Sequence, residues 1–498
     1  MSRRSPSPGL ILAVVAFGVF VAADDLTVVS TMLRQIIFDL EIPLPDGLDK
    51  AAWIVNAYLI AYVVVMPFIG RLSDIVGRRA VYVGALALFL IGSIWIPLAP
   101  DLPSFIVGRV LTALGGGAMV PVAMAVIGDV YPREKRARAL GALGAIDTAG
   151  WVWGPLYGAL LIRFLTWQWQ FYLNIPLSLI GMAAAWWVLR DLPQPQARER
   201  VDWWGTAVLT LSLLILNIAL LGSGDVQAAG GFANLGSTEP ANTGWLYAIA
   251  AVSFIAFLLI ERRPAAAPLI DLTLFRRRNF SPAIWVNFMV GGVLIIAMVN
   301  VPLVINVLEF DVNTAALTSG YLLSGMTGAM ALASYVGGRL TERFSYRPVT
   351  VLGLTLCALG FALMGGSWVV GTPYREMAGQ LVVLGMGFGL VIAPVGTAVI
   401  NAAPDTQRGI ASSLVIVLRL MGMSVGLSAL TAWGLHRFAI LRTQITLPDL
   451  PLSDPVYQQA IIDGLTQVTV KVLTETFLVS AVVMGTAVLI SLRLRRER

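Results

Sequence analysis

The sequence predicts an all-α membrane protein of about fourteen transmembrane helices. Three observations lead there. Of 498 residues, 57% are hydrophobic and only 12% charged, too little charge to cover a soluble surface. Apolar runs long enough to cross ~30 Å of hydrocarbon recur from end to end. The runs lack the alternation of a barrel and are rich in glycine and proline (48 and 26), which spanning helices tolerate, so each run satisfies its own backbone as a helix.

The runs fall at roughly 9–37, 51–70, 80–99, 103–129, 139–162, 169–189, 204–222, 244–261, 281–308, 315–338, 349–371, 378–402, 409–434 and 473–492. The first follows a basic start without an obvious cleavage site and reads as a retained helix. A polar, proline-containing linker covers 191–203, and a Gly, Ala, Asn and Ser segment at 223–243 reads as a flexible external loop. Between 432 and 472 helical pattern mixes with Gln458, Gln459, Asp463, Gln467 and Lys471. Two readings stay open there: a hairpin projecting beyond the outer membrane face, or an ordinary external loop.

Charge sets the topology. Of 34 Lys and Arg, 25 lie on the termini and even-numbered connections, six on the opposite side and three inside spans. Such a bias places both termini in the cytoplasm. The net charge of +6 is spread over short loops rather than gathered on a face, so nucleic acid is not an expected partner. Cys357 and His436 stand alone, which leaves no transition-metal set. A His-x4-Asp acyltransferase is excluded because Leu441 stands where Asp is needed. Lys50, Lys135 and Lys471 follow Asp, Glu and Val, so no Gly-Lys phosphate loop exists. An enzyme is not expected.

The chain repeats itself. Gly70-Arg-Leu-Ser-Asp74 after span 2 is echoed by Gly338-Arg-Leu-Thr-Glu342 after span 10, each leading to an arginine at one offset, Arg79 and Arg347. Pro132…Arg136 before span 5 is loosely echoed by Pro404…Arg408 before span 13. The expected organisation is a six-helix bundle at 1–190, a linker with two extra spans at 191–279 and a second six-helix bundle at 280–498, with a site at the midplane.

Asp24, Asp25, Arg34, Arg109, Asp147 and Arg419 are ionisable and lie within spans. Unpaired in hydrocarbon, each would cost several kcal/mol, so such residues face the interior or a wet cavity. Burial favours a neutral carboxyl and a nearby guanidinium the charged form, so a change of neighbours can load and release a proton. Asp25 is therefore the expected proton-carrying group, Asp147 its counterpart and Arg419 the cation that pairs with one of them. The plainer alternative is static pairing. Asp24, about 100° round the helix from Asp25, is expected to face water or to be loosely solvated, and Arg34 to snorkel to the interface.

Several motifs resemble the major facilitator superfamily, in particular its fourteen-helix drug:proton antiporter branch. Gly70-Arg71-Leu72-Ser73-Asp74-Ile75-Val76-Gly77-Arg78-Arg79 is similar to the loop 2–3 signature, and Gly108-Arg109 before Gly115-Gly116-Gly117 to that of helix 4. Gly150, Gly154, Pro155 and Gly158 match most of the helix 5 antiporter signature, with Ala159 where a glycine is common. Asp25–Val29 resembles the helix 1 motif, and Trp167–Pro176 the start of helix 6, with Gln168 where arginine is usual. Met32-Leu33-Arg34, Ile42-Pro43, Trp53-Ile54-Val55 and Met66-Pro67 further resemble the mycobacterial triacylglyceride exporters, also described as multidrug efflux pumps, which work with a periplasmic lipoprotein.

The resemblance implies the major facilitator fold in a bacterial inner membrane. It implies proton-coupled export of a hydrophobic substrate, a lipid such as triacylglyceride or drugs, with membrane lipids around it and no cofactor beyond the proton gradient. It gives Arg109 a coupling role. It makes Gly70, Arg71, Asp74, Gly77, Arg78 and Arg79 a cytoplasmic latch, against the alternative of topology-setting charge alone. In the second copy Ser345 and Tyr346 replace Gly77 and Arg78, so that latch is degenerate. Gly150, Gly154 and Gly158 share one helix face for close approach, with Pro155 as a kink. Trp151, Trp153, Tyr157, Met326, Met330 and Met421 are candidates for a soft apolar cavity, against ordinary core or lipid-facing positions. A drug pump without a lipid role and a non-transporting sensor or scaffold are the competing functions.

Overall fold

The computed structural model describes residues 6–42, 48–192, 202–221, 244–262, 268–309, 311–445, 451 and 454–495. Fourteen helices of 18 residues or more, and no strand, occur among the described residues. They are α1 (Pro8–Asp39), α2 (Leu48–Val76), α3 (Arg78–Trp95), α4 (Leu102–Val130), α5 (Arg133–Phe164), α6 (Gln168–Val188) and α7 (Trp203–Leu221). Then follow α8 (Gly244–Glu261), α9 (Phe280–Leu308), α10 (Val312–Phe344), α11 (Tyr346–Ser367), α12 (Tyr374–Ala402), α13 (Arg408–Arg442) and α14 (Pro455–Ser491).

Local chemistry starts these helices. Asp101, Asp311 and Asp454 accept the backbone N–H of Ser104, Thr314 and Val456 at 2.9, 2.8 and 2.8 Å, and Asp202 that of Gly205 at 2.9 Å. Each satisfies a donor that the first helical turn leaves open. Pro8, Pro103 and Pro455 stand at the first or second helical position, where a missing N–H costs nothing.

Twelve of the fourteen helices are long and apolar enough to cross a membrane; α5 and α10 are not. Their deficit has a packing reason. Both are rich in Gly and Ala, α10 in Ser and Thr as well, and they run against each other, where small residues let backbones approach. Exposed Trp186, Trp187, Trp203 and Trp204 sit at one end of their helices and Trp95, Trp169 and Trp245 at the other, the arrangement of two interfacial belts. The expected last span begins too late: α14 starts at Pro455, and α13 runs on to Arg442. With 35 and 37 residues these helices are ~52 and ~55 Å long, well beyond a ~30 Å hydrocarbon core. Arg437 and Glu475 tie them together with two bonds of 2.7 and 3.0 Å.

The packing repeats. Helix α4 lies against α1, α2 and α3, and α12 against α9, α10 and α11. Both have 29 residues and an interior proline, Pro121 and Pro394, and they are the most enclosed helices of the fold. The first six and last six helices meet through mated contacts, α2 with α13 and α10 with α5, flanked by α4 with α13 and α12 with α5. Helices α7 and α8 pair with each other, and α7 also touches α2 and α13.

Candidate functional site

Three groups of polar side chains sit where the helices cross. The first is inside the first six helices. Arg109 of α4 donates from Nη1 to Asp25 Oδ2 of α1 at 2.9 Å, and both side chains are almost fully enclosed. Asn174 of α6 donates to the other carboxylate oxygen at 3.3 Å, and the Arg109 guanidinium lies 4.1 Å over the Tyr58 ring of α2. Four helices thus converge on one carboxylate. Replacing a buried pair by apolar residues is often neutral or stabilising, whereas losing one partner costs about 3–5 kcal/mol, so neither charge is easily left alone here.

Asp24 departs from expectation. It does not face water: only 6% of it is exposed, and Gln170 of α6 donates to its Oδ2 at 3.0 Å. Helix α5 presses on α1 here and shuts out solvent. A Cβ on Gly150 would come within 2.7 Å of Ala23 and 2.9 Å of the Phe20 carbonyl, and one on Gly154 or Gly158 would collide with Thr27 or Thr31. The three glycines therefore share the face expected of them. The side chains of Pro155 and Arg34 lie outside the described residues; α5 continues as a helix through position 155.

The second group joins the two sets of helices. Arg419 Nη2 of α13 lies 3.8 Å from Asp147 Oδ2 of α5, an ion pair slightly beyond hydrogen-bond range. Asp147 is 14 residues into α5 and Arg419 11 into α13, ~21 and ~16 Å from their starts, so the pair lies deep in the membrane.

The third group is the loop 2–3 end. Asp74 accepts the backbone N–H of Gly409 and Ile410 at 2.8 and 3.1 Å, a carboxylate placed on the positive start of α13. Arg78 pairs with Asp74 at 2.6 Å and with Asp129 of α4 at 3.0 Å. Arg408 comes from α13 to the other oxygen of Asp129 at 3.0 Å. Gly70 backs directly onto Gly409, where any side chain would clash. Gly77 makes the tight bend between α2 and α3 at φ 105°. Asp74, Arg78, Gly70 and Gly77 therefore converge at one end. Arg79 turns away and stacks 3.8 Å over Trp186 of α6. Arg71 is buried within electrostatic reach of Glu261, at the end of α8.

A mate of this group escaped the sequence. Arg136 at the start of α5 donates to Asn401 Oδ1 at the end of α12 (2.8 Å), and Asn401 Nδ2 donates to Tyr346 Oη (2.6 Å). Tyr346 takes the place of Arg78, Asn401 that of Asp129 and Arg136 that of Arg408. Asp129 and Asn401 each stand three residues before the echoed prolines, Pro132 and Pro404, so aligning the repeat one step further exposes them. Ser345 even keeps the bend of Gly77, at φ 76°. Glu342, the mate of Asp74, is exposed instead. The second copy meets its partner through the hydrogen bonds of Arg136, Asn401 and Tyr346.

The cavity candidates divide. Met326, Met330 and Met421 are buried between helices, and Met421 Sδ accepts from Asn217 of α7 at 3.8 Å. Trp153 is exposed and stacks on Tyr157 at 6.1 Å. A cavity of about 530 Å³ lies elsewhere, between α2, α4 and α7, and its wall is apolar, with Trp53, Phe68, Val110 and Trp203 prominent.

A family model described as Major Facilitator Superfamily matches residues 15–427. A triacylglyceride transporter of Mycolicibacterium hassiacum is 33% identical over 473 residues, 92% of this chain and 85% of its own. Multidrug resistance protein 3 of Bacillus subtilis is 29% identical over 429 residues, 86% of this chain and 80% of its own. The proton:xylose symporter XylE has the same fold at TM-score 0.61 with 13% identity, covering 96% of this chain and 95% of that one. The human organic anion transporter MFSD10 also scores 0.61 at 13% identity, over 98% of this chain and all of that one.

Proposed function

The chain belongs to the major facilitator superfamily, and from that premise we propose that it exports a hydrophobic or amphipathic substrate by proton-coupled alternating access. It is a multi-pass membrane protein of a transporter family rather than an enzyme. In this reading α1–α6 and α9–α14 are two six-helix bundles, and α7 and α8 are linker spans. The charge bias puts both termini and the Asp74–Gly409 contact on the cytoplasmic side of the inner membrane. The described conformation is then sealed toward the cytoplasm.

One observation carries the coupling: Asp147 and Arg419 form an ion pair within the membrane and between the bundles. Rocking the bundles apart must break it, which strands two charges in a medium that penalises them. A proton on Asp147 removes one of those charges. Proton uptake and bundle separation then favour each other by linkage. Asp25 and Arg109 form a second switch inside the first bundle, with Arg109 able to hold or release the carboxylate as its neighbours move.

The substrate follows from the relatives and from the scarcity of fixed charge. A relative named triacylglyceride transporter supports a lipid, with a periplasmic lipoprotein as the acceptor beside the long ends of α13 and α14. The relative named multidrug resistance protein 3 supports the second reading, a drug:proton antiporter without a lipid role. Purified protein in proteoliposomes with an imposed pH gradient decides. A fluorescent triacylglyceride and a cationic dye are offered in turn. Gradient-driven flux of the lipid, abolished by a protonophore, is expected. Flux of neither probe would point to a sensor or scaffold.

A further inference from the structure

Asp24 and Gln170 leave a particular pair of atoms without partners. Gln170 Nε2 donates to Asp24 Oδ2 at 3.0 Å. The remaining oxygens, Asp24 Oδ1 and Gln170 Oε1, are both buried and both without a hydrogen-bond partner. Each member of this bonded pair therefore keeps one buried acceptor without a donor. An ionised carboxylate can only accept. A buried acceptor without a donor is costly, and a buried unpaired anion more so.

One hydrogen repairs both defects. A carboxylic acid accepts through its carbonyl oxygen and donates through its hydroxyl, and a primary amide does the same with its oxygen and nitrogen. With a proton on Asp24, the pair would bond at two points and both acceptors would be used. Exchanging the oxygen and nitrogen of the amide does not remove the need. A carboxylate oxygen 3.0 Å from an amide oxygen also demands a hydrogen between them.

Among the described residues the surroundings supply no cation instead. On α1 the neighbouring charge is Asp25, which repels. From α5 the titratable group in reach is Tyr157, and Gly150 and Gly154 bring only backbone. From α4 comes Arg109, whose Nη1 and Nη2 donate to the carboxylate and carbonyl of Asp25. No ion pair among the described residues includes Asp24.

We infer that Asp24 is a second proton-binding site of the first bundle, held neutral by Gln170 as an acid–amide pair and distinct from Asp25. Two adjacent carboxyls on one helix are thereby kept in different states by different partners, an amide for one and a guanidinium for the other. The inference rests on the proton-coupled reading only for its role in transport. Protonation itself stands on the geometry.

Infrared spectra of the purified full-length protein at neutral pH test it. Asp24→Asn is the decisive variant, because an amide–amide pair keeps both hydrogen bonds without the proton. Its difference spectrum is expected to show loss of a protonated-carboxyl C=O band, with a melting temperature close to that of the wild type. Asp25→Asn should leave that band in place. Gln170→Leu should shift it to higher frequency, which gives a second reading should Asp24→Asn fold poorly. Loss of carboxylate bands in Asp24→Asn, or no change of the protonated band in Gln170→Leu, would overturn the assignment. Failure of the wild type to transport under a pH gradient would instead sink the coupling reading and leave the infrared result standing.

Discussion

Asp129 and Asn401 occupy equivalent ends of α4 and α12, and each receives an arginine from the opposite half, Arg408 and Arg136. The geometry is shared and the charge is not. One side closes through two guanidinium groups on a carboxylate, the other through an amide between an arginine and a phenol. The two halves are thus held at one end by unequal latches, and the inequality is testable.

Asn401→Asp should strengthen the weaker latch. A charge-assisted bond from Arg136 is roughly twice as strong as one to a neutral amide. The expected outcome is a higher melting temperature in detergent and slower turnover in proteoliposomes. Unchanged turnover with raised stability would mean that opening this end does not limit the cycle.

Asp74→Asn should loosen the stronger latch. It weakens the contact with the Gly409 and Ile410 N–H groups and the pair with Arg78. Bonds to charged groups contribute about 1.5–3 kcal/mol, so the closed end should open roughly 10- to 150-fold more often. Maleimide labelling of a Ser413→Cys reporter, buried against Gly70, reads this directly. Labelling should be slow in the parent and fast in the Asp74→Asn background.

Asp147→Asn removes the membrane-embedded bond between the halves while keeping the shape of the side chain. Coupling energies of about 1–3 kcal/mol imply a loss of gradient-driven flux between 5- and 150-fold. Downhill flux without a gradient should persist, because the pathway is intact. Equal loss of both would assign Asp147 to substrate passage rather than to coupling. Arg419→Met should reproduce the uncoupling, since it breaks the same pair.

Ser345→Gly should stabilise the protein. Ser345 sits at φ 76° and ψ 175°, a region nearly confined to glycine, which costs about 1–3 kcal/mol for other residues. Relief should exceed the entropy cost of glycine and leave a net gain of about 1 kcal/mol. The reverse change at the mate, Gly77→Ala, should destabilise by a similar amount. Thermal unfolding of both variants checks the pair together.

Much of the molecule could be read from the chain. The helical, membrane-spanning character follows from apolar length, which the bilayer demands locally, and twelve of the helices meet that demand. The repeat, the helix 5 glycine face and the enclosure and pairing of Asp25, Arg109, Asp147 and Arg419 follow from spacing and from the cost of charge in hydrocarbon. What stayed hidden depends on distance in three dimensions. Asp24 looked solvent-facing because helix periodicity gives its angle to Asp25 but not what α5 and α6 place against it. Arg79 belongs to the same motif as Arg78, yet one stacks on Trp186 and the other bridges two carboxylates.

By itself the sequence determined a helical membrane protein with duplicated halves and a few buried charges, because hydropathy and periodicity are properties of neighbouring residues. Only the tertiary structure decided which charges meet. Asp25 found Arg109 across 84 positions and Asp74 found Gly409 across 335. An ion pair or a helix-start contact acts over a few ångströms, and no spacing along a chain encodes which distant helix is brought that close.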